Sequence, residues 1–423
     1  MITDPRDVLE LLASSQGDPS GSGPDGLVHL TRLPARPGRT VPMPDDLPEV
    51  LRRRLALDGI ESLWSHQAEV LDLARSGTHT VVATGTASGK SLAYLLPVVE
   101  RILTDDRATA LYLAPTKALA HDQLRAVRRL RLAQVRAASI DGDTPLPERD
   151  AIRRTANLLL TNPDLVHHSM LGDHQRWADF LHHLAFVVVD ESHVARGVFG
   201  SHLALVLRRL GRLAERYGAS PTWLLASATI GNPAEHASRL TGRDVVAVTD
   251  DGSARGPFDI GLWQPPRDDD GRATSTLRIA GELLGSFVAA GVQALVFARS
   301  RRAAEVVAVH ARDRLGDASD DEGLLADRVA AYRAGYLADE RRELERRLRD
   351  GELRGVAATE ALELGIDVSG LDAVVLAGWP GTSASFWQRI GRAGRAGGPA
   401  AAVLVAQEDP LDQYLVGHPD ELL

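Results

Sequence analysis

The stretch "VVATGTASGKSLAYLLP", Val81 to Pro97, constrains the chain most. It nearly spells the phosphate-binding loop G-x-x-x-x-G-K-[ST]. Gly89, Lys90 and Ser91 fit, while Thr84 stands where the first Gly is usual. The preceding "HTVVATG" reads as a strand and "KSLAYLLPVVERIL" as a helix. A Gly-containing turn between the two aims backbone N–H groups and the helix dipole at one point, which suits a phosphate. In that reading Thr84, Gly85, Thr86, Ala87, Ser88 and Gly89 form the cradle. Lys90 reaches outer phosphates and the Ser91 hydroxyl ligates Mg²⁺.

The strand–loop–helix pattern repeats. Short apolar runs alternate with longer helix-like segments: "ATALYLAP", "NLLLTNP", "LAFVVVDE" and "TWLLASAT", then "VQALVFARS", "RGVAATE", "LDAVVLAGWP" and "AAAVLVAQE". Their length and β-branched content predict buried parallel strands in an α/β fold. At 423 residues the chain exceeds one core, and two domains are expected. Residues 1–58, rich in Pro, Gly and Asp, are expected as a flexible or draped lead-in. The first domain is expected over 59–250, a charged Gly/Pro-rich linker over 251–275 and the second domain over 276–423. The string "DERRELERRLRDGELR" reads as a charged, solvated helix.

Composition narrows the class. There is no Cys, which excludes disulfides, thiolate zinc and iron–sulfur clusters held by this chain. No apolar run approaches the ~20 residues of a membrane helix, and the acidic start "MITDPRDVLELLASSQ" is unlike a signal peptide, so a cytoplasmic location and no membrane partner are expected. The net charge of −9 argues mildly against a broad nucleic-acid surface but allows a local basic groove. The chain holds two lysines, Lys90 and Lys117. Codon bias explains the scarcity. A lysine surviving it marks a place where a compact point charge is needed rather than the broad guanidinium fork.

Two further clusters carry chemistry. "AFVVVDESH" places Asp190 and Glu191 at the carboxyl end of a buried strand, where open α/β sheets bind ligands. Asp190 suits Mg²⁺ and Glu191 suits a base for an attacking water. The plain alternative is an acidic turn after a strand. Near the end, "QRIGRAGRAGG" repeats Arg389, Arg392 and Arg395 every three residues, expected along one side of a helical turn. The plain alternative is surface arginine. An Arg supplied to a γ-phosphate is worth roughly 10³–10⁵ in rate.

In order along the chain, "SHQAEVL", "TGTASGKS", "APTKALAHDQ", "TNPD", "DESH", "SAT", "VFARS", "ATEALELGIDV" and "QRIGRAGR" resemble the motif series of a superfamily 2 helicase of the DExH-box type. The strings "LWSHQAEVL", "TGTASGKS", "SIDGDTP", "YRAGY" and "DPLDQY" are similar to the subfamily of bacterial mitomycin-repair and fungal RecQ-like DNA helicases. Thr84 matches that subfamily's own spelling of the loop. The resemblance implies two tandem RecA-like domains, each a mostly parallel sheet flanked by helices. It also implies ATP and Mg²⁺ as cofactors, and a motor on single-stranded or partly duplex DNA, moving 3′ to 5′, in DNA repair.

The resemblance also implies roles. Gln67 would read adenine, with Trp64 either stacking on the base or plugging the core. Gly365 and Asp367 would approach the nucleotide, and Arg392 and Arg395 would sense the γ-phosphate across an interdomain cleft. Thr116, Lys117, Thr161, Asn162, Arg299, Ser300 and Thr359 would touch the strand's backbone, positioning it without reading sequence. His193, Ser227, Thr229 and Gln388 would couple the domains. Relatives continue into a four-cysteine metal domain. The chain ends at "YLVGHPDELL" without Cys, so a truncated form, a fragment or a stand-alone motor is expected. His167, His168, His182 and His183 are expected as ordinary residues. An RNA substrate, a scaffold with a dead ATP site and a nucleotide switch unrelated to nucleic acid are the competing readings.

Overall fold

The computed structural model describes residues 4–15, 26–267, 270–316, 325–332, 338–359, 370–394 and 397–423. Contacts divide them into two units, one from Gly38 to Ser253 and one joining the described residues before 38 to those from Ala254 onward. The chain opens with the helix Pro5–Ser15 and strand β1 (Gly26–Leu33). Up to Ser253 follow β2 (Thr40–Pro42), β3 (Ser62–Trp64), β4 (Thr80–Ala83), β5 (Thr109–Leu113), β6 (Ala137–Ser139), β7 (Leu158–Thr161), β8 (Leu184–Val189), β9 (Thr222–Ser227) and β10 (Val246–Val248). After it come β11 (Phe258–Gln264), β12 (Ala294–Phe297), β13 (Val329–Tyr332), β14 (Gly355–Ala358), β15 (Ala373–Ala377) and β16 (Ala400–Val405).

In the Gly38–Ser253 unit the main sheet runs β10-β4-β9-β8-β5-β7-β6. Every neighbouring pair is parallel, so all carboxyl ends lie along one edge. Side chains alternate between two cores. Val187 and Val189 of β8 enter one, and Phe186 and Val188 the other. Burial on both faces explains why these strands read as unbroken apolar runs. β9 and β8 separate β4 from β5, its successor in sequence among the sheet's strands, and so create the crevice where α/β sheets take ligands. A smaller core of Leu47, Leu51, Leu55, Leu63, Leu71, Leu96 and Val99 packs the first fifty residues of this unit against the helix Lys90–Thr104.

In the other unit the sheet runs β1-β11-β16-β15-β12-β14-β13. β1 pairs antiparallel to β11, and the other pairs are parallel. Again Ala373, Val375 and Ala377 face one core while Val374 and Leu376 face its opposite. The charged helix expected from "DERRELERRLRDGELR" is Ala338–Arg349. Among the described residues, no helix is long and apolar enough to cross a membrane.

Two stretches differ from the expectation of loose connectors. Residues 26–33 form an edge strand, and residues 258–264, inside the stretch expected as a linker, form the strand beside it. The helix Pro5–Ser15 buries Val8 and Leu9 in the same core as Trp263 and Phe287. Gly261 in β11 makes that docking possible. A Cβ there would stand 2.6 Å from Leu27 and 3.5 Å from Leu9. The Gly and the buried Asp259 inside β11, with acidic and Pro-rich flanks, masked the strand from pattern reading.

Leu9→Ala, at a side chain with 0% exposure, is expected to cost about 2–5 kcal/mol and lower the melting temperature of this unit. Thermal denaturation that finds no change would return the segment to an unattached lead-in.

Candidate functional site

Sequence dictates the loop after β4 in detail. Its left-handed residues are Ala87 at φ 59° and Gly89 at φ 81°. Thr84 is not among the positive-φ residues, so its backbone does not require Gly. Its buried hydroxyl instead lies 2.7 Å from that of Ser88, which donates to the Gly85 carbonyl at 2.8 Å. The unusual Thr therefore braces the turn from inside. Gly89 is needed twice over, by its φ and because a Cβ would meet Gln67 Nε2 at 2.5 Å. Lys90 Nζ donates to the Thr84 and Gly85 carbonyls at 2.8 and 2.6 Å, which lays the ammonium across the cradle.

Gln67 is buried behind this loop. Its Nε2 donates to the Gly89 carbonyl at 3.0 Å, and its Oε1 accepts the Trp64 N–H at 2.9 Å. The amide joins the start of the helix Ser65–Arg75 to the phosphate loop, a bracing contact that the sequence did not foretell.

Asp190 follows β8, two strands from β4, and is half-buried. Its Oδ2 accepts the Tyr94 hydroxyl at 2.9 Å and the Tyr112 hydroxyl at 2.5 Å, and its Oδ1 accepts the Glu191 N–H at 2.8 Å. Burial, and next the Glu191 carboxylate, push its acid up to about 6 against these donors. Burial drives both tyrosine hydroxyls well above their usual range, so they stay protonated donors. The Tyr94 oxygen also lies 3.3 Å from Ser91 Oγ, and Gln123 Nε2 donates to that Ser91 oxygen at 3.1 Å. Ser91 and Asp190 thus share a neighbour, and their oxygens make a hard donor set that fits a divalent cation. Sequence reading missed Tyr94, Tyr112 and Gln123. Tyr94 lies one turn beyond Ser91, but Tyr112 becomes visible only when β5 is known to lie beside β8.

Glu191 takes the left-handed conformation at φ 49°, which a non-Gly residue adopts at a cost of about 1 kcal/mol or more. Nδ1 of His193 accepts the Ala228 N–H at 3.0 Å and lies 3.4 Å from the Glu191 carboxylate. A nitrogen that accepts carries no proton, so at that atom the carboxylate is a neighbour rather than an ion pair. Ser192 Oγ donates to the Ala226 carbonyl at 3.0 Å, and Ser227 Oγ to the Ala228 carbonyl at 2.7 Å. "DESH" and "SAT" are therefore bound to each other, with Thr229 exposed beyond them.

The expected strand-contacting residues of this unit also follow carboxyl ends. Thr116 caps the helix Lys117–Arg129 by accepting the Leu119 N–H at 3.3 Å. Lys117 Nζ donates to Asp143 at 2.6 Å. Asn162 accepts the Leu165 N–H at 2.9 Å. Thr161 differs from expectation. It is 1% exposed and its hydroxyl donates inward to the Ile140 carbonyl at 2.7 Å, so that hydroxyl is spent inside the protein.

In the other unit Arg299 and Ser300 follow β12 and Thr359 follows β14. Ser300 Oγ accepts the Ala303 N–H at 3.1 Å, and Thr359 is half-buried. Gln388 and Arg389 are buried on the helix Ser383–Ile390, where Arg389 sits 5.4 Å from the centre of the Phe297 ring. Arg392 does not continue that helix, which ends at Gly391, and at 8% exposure it is not a surface arginine. Gly365, Asp367 and Arg395 lie outside the described residues. His182 and His183 hold the carbonyls of Tyr217 and Asp179 through Nδ1.

Residues 64–237 match the DEAD/DEAH box helicase family and residues 276–397 match the helicase conserved C-terminal domain. The chain is 38% identical over 421 residues to the uncharacterized ATP-dependent helicase YprA of Bacillus subtilis, covering 98% of this chain and 55% of that one. It is 38% identical over 373 residues to the ATP-dependent helicase HRQ1 of Saccharomyces cerevisiae, covering 86% and 34%. The solved structure of the DUF1998 helicase MrfA bound to DNA and AMPPNP superposes with a TM-score of 0.89 at 37% identity, covering 98% of this chain and 57% of that one. The chain thus spans from a third to rather more than half of these proteins. With a DEAD/DEAH box helicase domain followed by a helicase conserved C-terminal domain, the chain carries the two-domain core of the superfamily 2 helicases and is similar in it to YprA, HRQ1 and MrfA.

Proposed function

We propose that the chain is an ATP-driven motor that moves along single-stranded DNA, 3′ to 5′, in DNA repair, within the cytoplasm or nucleoid. One observation carries the reading. A lysine-bearing phosphate loop and a half-buried Asp–Glu pair sit at the same carboxyl edge of one parallel sheet, linked through Tyr94. The DNA and AMPPNP in the similar MrfA structure and the names of the relatives support the choice of ligands.

Lys90 neutralises outer phosphate oxygens by leaving its loop carbonyls, and the loop's N–H groups hold the rest. Ser91 and Asp190 would hold Mg²⁺, which when bound draws charge from the β- and γ-phosphates. Glu191 accepts the proton of the attacking water. His193 and the "SAT" segment carry a shift at Glu191 to the end of β9, because their hydrogen bonds join the two turns. Arg392, with Arg395, senses the γ-phosphate. Thr116, Lys117, Asn162, Arg299, Ser300 and Thr359 grip the strand through phosphates, with Thr161 contributing at most its backbone. Gln67 positions the loop and offers its remaining amide capacity to adenine, and Gly365 and Asp367 complete the nucleotide contacts.

Lys90→Ala and Glu191→Gln are each expected to lower DNA-stimulated ATP hydrolysis by about 10²-fold or more, read in a phosphate-release assay. Near-wild-type turnover in either purified variant refutes the site. Single-stranded DNA is expected to stimulate hydrolysis more than RNA of matched sequence, and preference for RNA refutes the DNA assignment. Affinity for the strand is expected to fall with salt at a log–log slope of about −0.7 for each phosphate neutralised. A flat slope, read by fluorescence anisotropy, contradicts a phosphate grip.

A further inference from the structure

The string "DPLDQY" resembles a subfamily signature, yet the motor chemistry above leaves it unused. The structure gives it a task. Asp412 lies on the helix Pro410–Gly417, just after β16, with 0% exposure. Its Oδ2 accepts two backbone N–H groups, from Trp379 at 3.0 Å and from Gln407 at 2.9 Å. Trp379 belongs to the loop after β15 and Gln407 to the loop after β16, so one carboxylate ties two loops at the carboxyl edge of the sheet.

The second oxygen, Oδ1, is buried without a hydrogen bond and lies 3.5 Å from Nη2 of Arg299, in the loop after β12. The same Nη2 donates to the Trp379 carbonyl at 3.1 Å. Arg299 is thereby held from one corner. Among the described residues its Nε and Nη1 have no partner, and 47% of its side chain is exposed. A guanidinium fixed at one nitrogen, with its other N–H donors open to solvent, has the form of a bidentate receptor for an anion. Burial raises the Asp412 acid, the backbone N–H groups and Arg299 oppose that rise, and among the described residues the carboxylate has no other cation in contact.

We propose that Asp412 is a positioning residue that clamps Arg299 through Nη2 and so presents the rest of the guanidinium to a phosphate of the bound single strand. The clamp rests on the motor reading, and it adds a residue outside the motif series that fixes the strength of the grip. It requires Arg in particular, because a lysine offers a single nitrogen for both tasks.

The test is single-strand affinity, measured by anisotropy with a fluorescent oligo(dT) over a salt series, for the wild type, Asp412→Asn, Arg299→Ala, the double variant and Arg299→Lys. The loss of one charged hydrogen-bonded contact is expected to weaken binding about tenfold in Arg299→Ala, and to reduce the salt slope by about 0.7. Asp412→Asn is expected to reproduce most of both changes while fluorescent ATP binding stays as in the wild type, and the double variant is expected to bind like Arg299→Ala alone. Arg299→Lys keeps the charge and is expected to bind nearly as weakly as Arg299→Ala, a result that does not depend on how Asp412→Asn folds. Independent, additive losses in the double variant, or wild-type affinity in Arg299→Lys, overturn the clamp while leaving the motor intact. A wild-type chain with no affinity for the oligonucleotide overturns both.

Discussion

A carboxylate that is half-buried yet kept ready to ionise is the constraint on which the Gly38–Ser253 unit depends. Asp190 follows β8 at the carboxyl edge of a parallel sheet and is half-buried there. Burial raises its acid to about 6, and two tyrosine hydroxyls and one backbone N–H hold the charged form against that cost. The donors come from the Lys90–Thr104 helix, from β5 and from the turn of Glu191 itself. Removing any one of those elements takes a donor from a carboxylate whose charged form burial already penalises. The sheet order and the site are in this sense one arrangement, because the neighbours that make β8 central also furnish its polar cover.

The loop at Thr84 shows how a motif bends without losing its chemistry. A glycine serves where φ is positive or where a side chain cannot fit, and Gly89 meets both conditions. Position 84 meets neither, so a hydroxyl can stand there and bond inward to Ser88. Of the three non-Gly residues with positive φ among those described, Ala87 and Glu191 lie beside the groups that would handle phosphate and water, while Arg131 lies elsewhere. Strain placed at such positions is consistent with turns held for chemistry rather than for stability.

Much of this was legible in the sequence. Nine quoted apolar runs became strands, because full burial gives a continuous signal that needs no partner to be read. The position of Lys90, Ser91, Asp190 and Glu191 at the carboxyl edge of the sheet was legible because each follows an apolar run that reads as a strand. What escaped was set by tertiary contacts. β11 carries a Gly that accommodates Leu27 and Leu9 and a buried Asp259, so its pattern reads as a loop until β1 is seen beside it. Thr161 looked available for a strand because its motif is, yet its hydroxyl turns to Ile140 on the neighbouring chain segment. The hydrogen bonds of Tyr112 and Asp412 cannot be seen before the strands are ordered. The repeat of Arg389 and Arg392 suggested a shared helical side, but Gly391 ends the helix between them.

The central claim is that the loop after β4 and the carboxylate after β8 make one Mg–nucleotide site. Equilibrium binding of a fluorescent ATP analogue, titrated with and without Mg²⁺ in the wild type and in Asp190→Asn, addresses it most directly. The account predicts that Mg²⁺ tightens binding in the wild type and that Asp190→Asn removes the Mg²⁺ effect while metal-free binding through Lys90 persists. Equal Mg²⁺ enhancement in both proteins would contradict it.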